Sequence, residues 1–135
     1  MRLARERLHE KLACDAMAPH KARAIVRQLE QEVGIQQMLD LKVVVSELAA
    51  MAFRFGRGET LELELAVSRD GDVDGVFGPI TSWPVVLAAA QEDPGAGKLA
   101  LRLLDRLTPG WGVDDGGAIR IRVERARGAG LGEAG

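Results

Sequence analysis

From Thr60 to Val67 the chain reads Thr-Leu-Glu-Leu-Glu-Leu-Ala-Val, with Leu61, Leu63, Leu65 and Val67 on one side and mainly acids on the other. A period of two predicts a strand with one buried face. Asp70-Gly71 predicts a tight turn, and 72–77 returns as a neighbouring strand. Ile119, Ile121 and Val123 alternate with Arg120, Arg122 and Glu124, which predicts a strand over 118–124. A short partner at 111–113 precedes it, across Asp114-Asp115-Gly116-Gly117.

Helical spacing governs most of the rest. Asp15 as a cap, Pro19 in a first turn and the stripe Ala22, Ile25, Val26, Leu29 and Val33 predict a helix that stops at Gly34. A second helix is expected from about Gln36 to Phe55, with Leu41, Val44, Val45, Leu48, Ala52 and Phe55 inward. Its run Val43-Val44-Val45 lowers helix propensity, so burial must hold it. Gly78-Pro79 breaks the strand before it. Residues 80–98 read as a loop carrying a short apolar helix around 85–90, closed by Asp93-Pro94-Gly95-Ala96-Gly97. A third helix over 99–107 would bury Leu99, Leu103, Leu104 and Leu107. Residues 1–14 stay open between an edge strand and a short helix, because Leu8 and Leu12 suit either.

The order helix, helix, strand, strand, loop, helix, strand, strand predicts an α+β two-layer sandwich: a mixed, mostly antiparallel sheet with its helices on one face. An N-terminal strand or short helix over 1–14, one domain over 15–125 and a flexible small-residue tail over 126–135 make up the 135 residues. The single cysteine, Cys14, fits a reducing cytoplasm, and Met1-Arg2-Leu3 leads into alternating charge rather than a secretory signal. No run reaches membrane-spanning length. A net charge of −2, no tyrosine and few other aromatics argue against nucleic acid as a partner.

Four local patterns follow one another in a telling order. They are Val44-Val45-Ser46-Glu47-Leu48-Ala49 in a helix, Gly78-Pro79 after a strand, Gly95-x-Gly97 before a Leu-Ala-Leu helix, and Trp111-Gly112-Val113 followed by Gly116-Gly117. Over roughly residues 15–125 the chain thereby resembles the histidine-kinase-like ATPase fold, and within it the small serine kinases and anti-sigma regulatory factors of bacteria. The resemblance implies ATP held between sheet and lid, with Mg2+ between its phosphates. One helix would carry a glutamate and, four residues on, an asparagine; that spacing sets both on one face. The acid polarises the attacking nucleophile and the amide oxygen ligates magnesium.

Glu47 matches the acid, but Met51 stands where the asparagine belongs, and a thioether is a poor ligand for a hard cation. The adenine-reading box, Asp-x-Gly-x-Gly in the family, corresponds to Val76-Phe77-Gly78-Pro79-Ile80. Gly78 and Pro79 fit; Val76 cannot accept a hydrogen bond, and Asp74 would serve only if the register slips by two. The lid glycines persist as Gly95 and Gly97, whose N–H groups at a helix start suit phosphate, with Lys98 adding positive charge. Ala118 replaces a threonine near the base. ATP and Mg2+ are thus implied by the resemblance, while the swapped side chains count against both.

Plainer readings stand beside these. Glu47 can be a solvated acid near Arg54, Met51 core filler, and Gly95-Ala96-Gly97 a loop and no more. Gly95-Ala96-Gly97-Lys98 lacks the glycine and hydroxyl of a phosphate loop, and His9, His20 and Cys14 fall short of a zinc set. The expected function is a regulatory domain acting mainly through a protein partner, with ATP binding weakened or lost. By resemblance that partner is a sigma factor or an anti-sigma antagonist, and a homodimer is implied. The alternatives are an active ATP-dependent serine/threonine kinase, and a phosphotransfer module or sensor-kinase fragment using His20.

Overall fold

The computed structural model describes residues 4–78 and 83–125 (of 4–6 the backbone alone), so Pro79 and the expected tail over 126–135 lie outside it. The elements run β1 (Ala4–Ala13), α1 (Ala18–Val26), a 3-10 turn (Arg27–Leu29), α2 (Ile35–Phe55), β2 (Thr60–Ser68), β3 (Val73–Phe77), α3 (Trp83–Glu92), α4 (Ala96–Leu107), β4 (Gly112–Val113) and β5 (Ile119–Val123). The strands form one sheet in the order β1-β2-β3-β5-β4. The protein is therefore α+β, and its shape is compatible with a two-layer sandwich. Every pairing among the described residues is antiparallel, which corrects the expected mixed sheet.

The ambiguous N-terminal stretch is a strand. Leu8 and Leu12 are four apart, which keeps them on one face of a strand as well as of a helix, and they sit opposite Leu65 and Leu61. The inward residues of β2, β3 and β5 join one core with the apolar faces of the helices, and Leu61, Leu63, Val67, Val73, Phe77 and Ile119 have no exposure. The opposite face of the sheet stays polar, carrying Glu62, Glu64, Asp74, Arg120 and Arg122.

Three buried polar side chains tie the layers together. Gln37, in the first turn of α2, donates from Nε2 to the carbonyls of Gly71 (2.7 Å) and Val123 (3.1 Å) and accepts from the Gly34 N–H. Asp72 accepts from the Arg125 N–H at 2.9 Å, and the Thr108 hydroxyl accepts from the Arg122 N–H at 2.9 Å. Each satisfies a backbone group of a neighbouring segment. At the last hairpin, Asp114 accepts from the N–H groups of Ala118 and Gly116 and from Arg120. Those bonds, Ala118's first, hold its carboxyl below the ordinary carboxylate range.

Two helix expectations need correction. The first helix does not run to Gly34: α1 stops at Val26, and a 3-10 turn carries Leu29 into the core. In α4 the buried residues are Gly97, Ala100 and Leu104; Leu99 is 54% exposed, and Leu103 and Leu107 are half-buried. The helix begins three residues earlier than its leucines suggest and lays Gly97 and Ala100 inward beside Leu104.

Candidate functional site

The central helix α2 packs against α1, α3 and α4, which leaves little of its circumference in solvent. Met51 is 1% exposed and belongs to the core. Glu47, one turn earlier, is half-buried and makes no hydrogen bond or ion pair with a described residue. Arg54, the base expected beside it, instead approaches Asp93 at 3.9 Å and lies over the Phe55 ring.

Gly78 closes β3 in a tight place. Its N–H donates to the Glu62 carbonyl at 2.6 Å, and a Cβ there would come within 2.9 Å of the Glu62 Cβ. Its carbonyl accepts from the indole N–H of Trp83 at 3.3 Å. Trp83 is fully buried at the start of α3, so a large ring packs on the glycine that the resemblance assigns to adenine. Sequence patterning passed over Trp83, because it precedes the apolar run that marks the helix.

The glycines before α4 are also engaged. Asp93 accepts from the Gly95 N–H at 3.2 Å through Oδ1 and from the Gly97 N–H at 2.9 Å through Oδ2, and its carbonyl accepts from the Lys98 N–H at 3.1 Å. A carboxylate of the chain itself thus holds the N–H groups that would suit a phosphate. A Cβ on Gly97 would stand 2.5 Å from the Ala90 carbonyl oxygen, so this glycine permits the close approach of α3 and α4. The Lys98 side chain is exposed. Asp93 was legible only as part of a turn, because it lies two residues before Gly95, the N-cap of α4. Asp93→Ala is expected to cost about 0.5–2 kcal/mol, the range for losing a helix cap, measured by urea denaturation.

Asp74 is not gathered with these residues. Alternate positions of β3 face opposite ways, and Asp74 and Val76 lie on the side away from α2, where Asp74 accepts from Arg122 at 2.8 Å. Slipping by two keeps that face, so neither residue turns toward Glu47. The structure therefore brings Met51, Gly95 and Gly97 onto the helical side with Glu47, sets Gly78 at the end of β3 against Glu62, and leaves Asp74 across the sheet.

A depression of about 680 Å³ lies on the polar sheet face, over Arg7, His9, Glu64, Ala66, Asp74 and Val76. Glu47, Met51, Gly78 and Gly97 line neither it nor the smaller ones beside Arg122 and at the start of α2. Among the described residues no three His, Cys, Asp or Glu side chains converge as metal ligands. For the Mg-ATP that the resemblance implies the fit is poor: the Met51 thioether, where that resemblance wants an amide oxygen, is buried, and the Gly95 and Gly97 N–H groups are bonded to Asp93. Cys14 is half-buried, and burial, then the nearby Glu59, pushes its thiol up. The chain matches no protein-family model and no curated protein.

Proposed function

We propose that this chain is a bacterial regulatory domain of the anti-sigma serine-kinase type, acting mainly by binding a protein partner with ATP binding weakened or lost. The four ordered sequence patterns supply the type. The loss of nucleotide is carried by Met51, whose buried thioether stands one turn from Glu47 where a magnesium ligand is required. Asp93 on the lid N–H groups adds to it. The partner class follows the resemblance: a sigma factor or a phosphorylatable antagonist of one, with a homodimer and a cytoplasmic setting alongside. No helix among the described residues is long and apolar enough to cross a membrane.

Each polar partner left unmatched costs about 1–3 kcal/mol, so two lost contacts weaken ATP by about two orders of magnitude or more. Isothermal titration of the chain with Mg-ATP is expected to give no saturable heat. Micromolar affinity, with phosphate transfer that Glu47→Gln abolishes, would establish the active kinase instead.

A further inference from the structure

The sheet ends on one side in β4, of two residues, and on the other in β1, of ten. Pairing with β2 uses one edge of β1; no described strand pairs with the other. A long edge strand presents a row of backbone N–H and C=O groups ready to pair with another chain. Side chains decide which chain that is. Arg7, His9 and Lys11 share the polar face of β1, opposite Ala66, Glu64 and Glu62, and all three are exposed. His9 meets Glu62 at 3.2 Å and Glu64 at 4.0 Å, while Arg7 and Lys11 make no ion pair with a described residue. Antiparallel pairing of this edge with a second copy, polar faces together, would set these bases against one another, and like charges directly opposite destabilise a ladder.

We infer that the free edge of β1 takes up an extended segment of a protein partner as an added strand, acidic at the alternate positions that face Arg7, His9 and Lys11. Backbone hydrogen bonds supply affinity in such augmentation and alternate side chains supply specificity. β2 shows the match from the other edge, with Glu62 and Glu64 set against Lys11 and His9. Repulsion of the chain's own copy and attraction of an acidic strand come from the same three residues. The inference deepens the partner-binding proposal and rests on it for its biological sense.

The probe is a capped peptide of sequence Thr-Leu-Glu-Leu-Glu-Leu-Ala-Val, that of residues 60–67, with a control carrying lysine at both glutamates. Added to the isotope-labelled full chain, the acidic peptide is expected to slow amide exchange in β1 at least tenfold, and the lysine peptide is not. Arg7→Glu with Lys11→Glu should weaken the acidic peptide at least tenfold and admit the lysine peptide. Should that variant lose its native circular dichroism, Lys11→Glu alone and the two peptides on the unaltered chain decide the matter. Equal binding of both peptides overturns the inference, as does absent protection of β1 or a dimer that already protects it. Mg-ATP titration reads the other proposal separately: heat with phosphate transfer would sink the adaptor role and leave this edge standing.

Discussion

Trp83→Ala should lower stability by about 3–5 kcal/mol, the range for deleting a buried tryptophan or phenylalanine ring. Trp83 heads the largest fully buried side chains and has no exposure. Its removal leaves a void beneath the start of α3 and strips the Gly78 carbonyl of its indole donor. For a chain of this length the loss corresponds to a fall in Tm of roughly 10–20 °C. Trp83→Phe separates the two causes, since it keeps most of the volume and loses only the hydrogen bond, for about 1–2 kcal/mol. Urea denaturation followed by circular dichroism measures both. A Trp83→Ala chain within 1 kcal/mol of the parent would show that the ring is not the wedge between β3 and the helices.

Met51→Asn, the substitution that gives α2 the asparagine the resemblance implies, is expected to destabilise the chain. At 1% exposure the site loses the burial of a long apolar side chain and receives an amide among hydrocarbon. Together these cost about 2–5 kcal/mol. Adding Val76→Asp should not rescue nucleotide binding, because position 76 pairs with Arg120 on the polar face. The new carboxylate would find that guanidinium rather than a base. Thermal melts of both variants with and without Mg-ATP make the measurement. A rise in Tm of several degrees on adding Mg-ATP would mean that a nucleotide cavity opens beside α2 after all, and that its contacts alone had decayed.

The two substitutions probe one arrangement. Where the resemblance sets a ligand cavity, the helical side holds a methionine in the core, an indole on Gly78 and a carboxylate on the lid N–H groups. Each of these contacts is worth a few kcal/mol or less, and together they pack the helical side.

Strict alternation over Thr60–Val67 and Ile119–Val123 made the central strands and their buried faces legible, because a period of two admits one inward set. The stripe from Leu41 to Ala52 did the same for α2. The β1 segment stayed open because a spacing of four satisfies both a helix and a strand, and only pairing with β2 could choose. The inward face of α4 was legible at Leu104 but not at Gly97 and Ala100, which carry little hydrophobic signal; Gly97 is inside where two helices meet closely.

On its own, then, the sequence determined the order of elements beyond residue 15, and the inward faces of β2 and β5, which follow from residue chemistry and local period. Tertiary structure alone decided that Asp74 stands across the sheet from Glu47, that Asp93 holds the glycine loop, and that β1 ends the sheet with no described strand on its outer edge. Those facts depend on which surfaces meet in space, and no spacing along the chain encodes the distance between residues brought together by folding.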